Sequence, residues 1–412
     1  MREWTRAGRL SRWLTVLVAA AVSLSCGQPS TSPVAPTPPG SNHTGGHPRL
    51  ALWLAKKDEL LALEGAGYDL VMTGWFEPDE ATVLRARDPE VKLLAGLTHT
   101  WVYDDPAWQA LLITIANEGD PDGPLQITDD MVLTFDDDGD GLSDRRCTPP
   151  GWDAIYAMDL RHPGWRQLVL AFYETVAQQP RHDGVVIDMV DAYPLCEGAW
   201  SGGVPTPIDA TAWVSAQDDL LGLIRQRVPE EKWVIANAGG GFAEGSPFPK
   251  HLNGFLLENM LGSWGASLEE GLAAAQLALE TTAPPHLVVF AVDTDDTGSI
   301  EWDRFRTGLA ASLLVDNAYF AFDYGSRDHG GVSDWWYPQY YELALGAPLG
   351  SYSLTDGVYR RDFENGSVII AAGDRAVVSL DAPHVDPVSD ETASRFEIPV
   401  GDARILVKVD TR

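Results

Sequence analysis

Two segments of the chain end in an acid in the same way. Gly184-Val185-Val186-Ile187-Asp188 and Gly254-Phe255-Leu256-Leu257-Glu258 each run from a glycine through three apolar residues to a carboxylate. Continuous apolar runs of this length predict strands of a parallel sheet covered on both faces. The acid then stands at the C-terminal end of its strand. An unpaired buried charge is unfavourable, so each carboxyl is either matched by Arg or Lys at the sheet's end or held for chemistry. Two carboxyls so placed suit cleavage of a glycosidic bond: one protonates the leaving oxygen, while the other attacks or activates water. A separation of about 5–5.5 Å gives retention and about 6.5–9.5 Å gives inversion.

The flanking pattern says what must position them. Eight apolar runs, at residues 49–55, 68–75, 91–100, 184–193, 232–240, 253–260, 286–296 and 317–325, alternate with helical patterns. Eight βα units over residues 48–345 predict an α/β fold, a (β/α)8 TIM-like barrel, with a doubly wound open sheet as the alternative. No strand is followed by a GxGxxG phosphate fingerprint. Residues 101–160 form an insertion after the third strand, on the face where barrels build sites. Residues 350–412 read as a small antiparallel β domain of about five strands. Polar and aromatic residues gather at the other strand ends: Trp75, His99, Trp101, Asp191, Tyr193, Asn237, Asp293, Asp295, Asp323 and Tyr324, with Trp264 at the same rim. Rings that stack on sugar faces, beside carboxylates and amides that bind hydroxyls, make a saccharide cleft; each ring alone reads equally as packing.

The insertion carries DDDGDGLSD, residues 136–144. Asp136, Asp138, Asp140 and Asp144 occupy positions one, three, five and nine of a calcium loop, with Gly141 at the turn and the Leu142 carbonyl at position seven. The twelfth position, usually a bidentate carboxylate, is Cys147. A structural calcium is one reading and a solvated acidic turn the other. No cofactor is called for in catalysis.

The N-terminus is a targeting segment. Arg2, Arg6, Arg9 and Arg12 precede the apolar run WLTVLVAAAVSLS, which ends at Cys26. This resembles a bacterial lipoprotein signal (residues 1–25) that leaves Cys26 lipidated, although Leu24 sits one place late in the box; a plain secretory signal is the alternative. Residues 26–47, rich in Pro, Ser, Thr and Gly, predict a flexible tether. The expected location is therefore outside the cytoplasm, anchored to a bacterial membrane. In such a compartment Cys147 and Cys196 are expected to pair, against the alternative of two free thiols. The chain has 60 Asp and Glu against 29 Lys and Arg, a net charge of −31. That argues against a nucleic-acid partner, which needs clustered cations. GxSxG, HExxH and P-loop motifs are absent from the sequence.

DGVVIDMVDAY, NGFLLENM, the AMDLRHPGWR segment and the stretch from Trp335 to Ile370 together resemble the hypothetical glycoside-hydrolase-like barrel families of bacteria, which are similar to the endo-polygalactosaminidase-like barrels. The resemblance covers roughly residues 48–375; the acidic run at 136–144 departs from it. It implies a barrel with glycosidase activity and Asp188 and Glu258 as catalytic candidates. The expected protein is a monomeric, membrane-tethered hydrolase of a polysaccharide. The alternatives are a non-catalytic glycan-binding lipoprotein on the same barrel and an envelope protein with no glycan contact.

Overall fold

The computed structural model describes residues 48–54, 61, 67–140, 143–149, 154–194, 196, 207–295, 297–325 and 337–409. The signal segment, Cys26, the tether, Leu142 and most of the helix expected over residues 56–67 lie outside the described residues. The first elements are β1 Ala51–Trp53, β2 Leu70–Thr73, α1 Pro78–Arg87, β3 Lys92–Ala95, β4 Trp101–Tyr103 and α2 Pro106–Ala116. Then come β5 Thr134–Phe135, β6 Arg145–Arg146, β7 Ile155–Ala157, α3 Pro163–Gln178, β8 Gly184–Ile187 and α4 Ala210–Arg227. β9 Trp233–Asn237, β10 Gly254–Met260, α5 Leu268–Thr281, β11 Leu287–Asp293, α6 Trp302–Leu314, β12 Ala318–Asp323 and α7 Pro338–Tyr341 complete the α/β part.

Eight parallel strands form one sheet in the order β1-β2-β3-β8-β9-β10-β11-β12. All eight expected runs supply a strand. The sheet curls into a nearly closed barrel: Leu50, just ahead of β1, bridges Phe320 of β12, and the Phe320 N–H donates to the Arg49 carbonyl at 2.8 Å. Every residue of β2 and β8, and six of seven in β11, is buried, as expected where helices cover one face and barrel side chains the other. The helices begin where their sequences predict. Ser267 and Glu270 make a reciprocal capping box at α5, and Asp209 caps α4 through the Ala212 N–H.

The described chain divides into two compact units, residues 96–232 and residues 48–95 with 233–409. In the first, the insertion is a small structure of its own. β4 pairs antiparallel with β7, β5 pairs with β6 around the acidic loop, and α2 packs on α3. Cys147 and Cys196 form a disulfide with Cα atoms 4.9 Å apart, and both are fully buried. Closing a loop between residues 49 apart restricts the unfolded chain and stabilises the fold by about 4 kcal/mol in the chain-entropy view.

In the second unit, a six-stranded antiparallel sheet follows the barrel strands. Its strands are β13 Ser353–Thr355, β14 Val358–Phe363, β15 Gly366–Ala371, β16 Ala376–Val385, β17 Thr392–Ile398 and β18 Ala403–Lys408, ordered β13-β14-β15-β18-β16-β17. β13 adds one strand to the five expected. Ile369, Phe396, Ile398 and Leu406 centre its core. The sheet is fastened to α6: Arg306 grips Asp402 through two hydrogen bonds of 2.7 and 2.8 Å, and Thr307 Oγ1 donates to the Gly401 carbonyl. Arg361, buried, donates to the Leu313 carbonyl at the C-terminal end of α6, where a cation is favoured by the helix dipole.

Candidate active site

Glu258 belongs to β10, and the backbone there is irregular. Leu257 pairs with Phe290 and Met260 with Val292 of β11. Glu258 and Asn259 thus stand opposite the single residue Ala291, a one-residue bulge. Asn259 has φ +52°, a left-handed conformation uncommon outside glycine. A bulge of this kind re-aims a side chain at a strand end. Here it sets the Glu258 carboxylate into a narrow cleft of about 30 Å3, lined by Trp53, Asn259, Asp293, Phe322 and Asp323.

The partners of Glu258 are neutral. Trp53 Nε1 donates to Oε1 at 3.2 Å, and Asn237 Nδ2 donates to Oε2 at 2.7 Å. Among the described residues no Lys, Arg or His lines the cleft, and Glu258 makes no ion pair. The structural alternative raised by the sequence, an acid matched by a cation, therefore does not describe Glu258. Asn237 is buried at the end of β9 and its own Oδ1 accepts from the Gly239 N–H, which fixes the amide so that its NH2 faces the acid.

Asp293 ends β11 directly beside Asp323 at the end of β12, in register. Burial pushes the Asp293 carboxyl up to about 7. The Asp295 N–H, at 2.7 Å, opposes this, and the negative charges of Asp323, Asp295 and Glu258 add to it. Arg304 spends its donors on the Asp293 backbone carbonyl and on the Asp295 and Glu301 carboxylates. One cleft thus holds an acid bound by two neutral donors, Glu258, and a carboxyl that keeps its proton to near neutrality, Asp293.

Asp188 lies in the other unit, immediately after β8, half-buried. It bridges Thr98, its N–H donates to the Leu97 carbonyl, and its Oδ1 accepts from the Met189 N–H at 2.9 Å. Met189 has φ +59°. The residue after each candidate acid is therefore left-handed, a strain that needs surrounding structure to hold it. His99 is fully buried beside Asp188, and burial lowers its imidazole to about 3, offset in part by the Asp188 backbone. It is neutral across the physiological range. Burial, with the Asp188 charge adding, also raises the Tyr103 and Tyr173 hydroxyls.

Residues 128–367, more than half of the chain and spanning Asp188, Glu258, Asp293 and Asp323, match the model of hypothetical glycosyl hydrolase family 15. The chain belongs to this family. No curated protein matches it. Among solved structures it is similar to the glycoside hydrolase domain of PelA from Pseudomonas aeruginosa, at 14% identity over 70% of this chain and 99% of that one, with a TM-score of 0.43. It is also similar to the cyclic alpha-maltosyl-(1→6)-maltose hydrolase from Arthrobacter globiformis, at 12% identity over 88% and 93% of the two chains (TM-score 0.44). Ega3 from Aspergillus fumigatus, in complex with galactosamine, aligns at 11% identity over 73% and 97% (TM-score 0.41).

The remaining expected residues of this family 15 chain are dispersed. Trp101 is buried within β4, and Trp75 donates its indole N–H to Glu77. The Asp191 backbone carbonyl accepts from Trp213 and Gln217, and Tyr193 is exposed. Tyr324 stacks on Phe322 with centroids 6.2 Å apart. In the acidic loop, carboxylate oxygens of Asp136, Asp138 and Asp144 lie within 4.8 Å of one another. An all-oxygen set of this kind suits a hard cation such as calcium. Asp140 N–H donates to Asp138, so its backbone shapes the loop. Sequence reasoning missed Trp53 and Asn259 as parts of the cleft: Trp53 reads as strand core, and nothing in NGFLLENM marks the bulge.

Asp293→Asn tests the electrostatics of the cleft. The folded carboxyl binds its proton more tightly than the unfolded one, so it contributes stability below about pH 4 that is lost as pH rises toward 7. The variant, which never charges, should gain stability over wild type by a few kcal/mol above pH 7 and little at pH 4, measured by denaturant unfolding. An equal effect at both pH values would contradict the assignment.

Proposed function

We propose that this protein is a membrane-tethered hydrolase of a polysaccharide that works through two carboxyl groups, Asp188 and Glu258. Membership of the family supports glycosidase activity on a carbohydrate. The observation that carries the assignment of Glu258 is its pair of neutral donors, in a cleft with no cation among its described lining residues. An indole and an amide keep a carboxylate oriented while leaving its charge unneutralised, available for a developing positive charge at the anomeric carbon. Asp188 is assigned by the shared strand pattern and by the left-handed residue that follows it. One of the two carboxyls donates a proton to the leaving oxygen, and the other forms a bond to the anomeric carbon or activates water. Asp293 in its protonated form donates a hydrogen bond to a sugar hydroxyl, with Asn237 and Asp323 at the same rim. Cys26 carries the lipid, and residues 26–47 hold the barrel off the membrane.

Reducing-sugar release from a broad polysaccharide panel tests this directly. Wild type should release sugar from at least one polymer, and Asp188→Asn and Glu258→Gln should each lower kcat by about a thousandfold or more. Glycan binding by wild type without any release would instead make the chain a binding protein. Cys26→Ala, expressed in a bacterium, should move the protein from the membrane to the soluble fraction; retention in the membrane would refute the lipid anchor.

We also propose a structural calcium at Asp136, Asp138 and Asp144. Calcium should raise the unfolding temperature of the wild-type chain, and Asp138→Ala should abolish the increment. A melting curve indifferent to calcium and to chelator removes the proposal.

A further inference from the structure

Trp264 differs from the other exposed aromatic residues of this unit. It is 54% exposed, and among the described residues no ring contact or hydrogen bond holds its indole. Trp302, at 38%, is by contrast packed edge-on against Phe305 and Tyr337. An exposed indole without a partner among the described residues keeps its flat face open to a ligand.

The segment beneath Trp264 is rigid. Asn259 and Leu261 are both left-handed, at φ +52° and +66°. The Gly262 N–H donates to the Asn259 carbonyl, and the Leu261 N–H donates to the Ala266 carbonyl, each at 2.8 Å. Two glycines allow the close fit. A Cβ on Gly262 would lie 1.5 Å from Asn259 Oδ1, and one on Gly265 would lie 1.9 Å from the Asn259 carbonyl oxygen and 2.7 Å from that of Glu258. Asp295 staples the turn from the neighbouring strand end. It accepts from the Ser263 N–H at 2.9 Å, from Ser263 Oγ at 2.8 Å and from Asn259 Nδ2 at 3.0 Å, while Arg304 donates to its other oxygen. The turn thus sits directly on the backbone of Glu258 and raises a single indole into solvent.

We propose that Trp264 is a preformed stacking platform for a pyranose ring of the polysaccharide, next to the ring on which Glu258 acts. This rests on the reading of the cleft as a glycan site. A flat apolar ring with few torsions binds the C–H face of a sugar at small entropic expense, and a rigid base reduces it further. The Asp295 staple is then a positioning device: it fixes the turn that carries the platform against Asn259, the residue after Glu258. The platform extends the site beyond the buried cleft, so the preferred ligand is a chain of at least two sugars.

Affinity gel electrophoresis of the full chain tests it, with dextran, xylan, galactan, chitosan and pectin as probes and Glu258→Gln as the non-cleaving background. At least one gel should retard the protein. Adding Trp264→Ala should weaken that binding about tenfold, and Trp264→Phe should restore most of it. For the cleaved polymer, the loss on Trp264→Ala should fall on KM. Equal retardation of the Trp264→Ala and parent proteins would overturn the platform while leaving the glycan reading intact. No retardation in any gel would overturn both.

Discussion

The structure turns on one constraint: a carboxylate at the end of an apolar strand must be stabilised without being neutralised. A Lys or Arg beside Glu258 would be the simplest remedy for its desolvation, and it would also quench the charge on which the proposed chemistry depends. The chain uses an indole N–H and an amide instead. These come from β9, which pairs with β10, and from β1, which does not, so the acid is held only when a sheet neighbour and a distant strand are both in place. The cations of this unit are kept on other duties. Arg304 serves Asp295 and a backbone carbonyl, while Arg306 and Arg361 fasten the antiparallel sheet to α6.

The same constraint explains the irregular backbone. A regular β10 would alternate Glu258 and Asn259 between the two faces of the sheet. The bulge lets Glu258 reach the cleft while Asn259 turns to Asp295. Left-handed residues follow Glu258 and Asp188 alike. Such strain persists where surrounding structure over-determines it; it also occurs at turns away from these acids, at Glu118, Asp356 and Asp390.

Much of the scaffold was legible in the sequence because burial writes a simple pattern. The eight apolar runs became strands since a covered parallel sheet admits little else, and Cys147 and Cys196 are paired as expected. β13, Ser353–Thr355, was not legible: its three residues are exposed and carry no apolar alternation. The two-residue strand β6, Arg145–Arg146, is likewise set by pairing with β5 rather than by its own composition. Asp293 and Asp323 could be named because each ends a strand, and Glu258 because it ends the apolar run of one, although β10 continues to Met260. Their division of labour could not, since it depends on which side chains from distant strands face them. Trp53 is the clearest case: its sequence neighbours mark a strand, and only the closed barrel reveals its N–H at Glu258.

The central claim is that the Glu258 carboxylate acts on a glycosidic bond in the cleft it shares with Asp293. A crystal structure of the Glu258→Gln protein, with an oligosaccharide fragment of the polymer that wild type degrades, measures this most directly. The account predicts a sugar in the cleft with its anomeric centre within hydrogen-bonding or van der Waals distance of the side chain at position 258, and a hydroxyl bonded to Asp293. A sugar bound elsewhere on the barrel, with the cleft filled only by water, would contradict it.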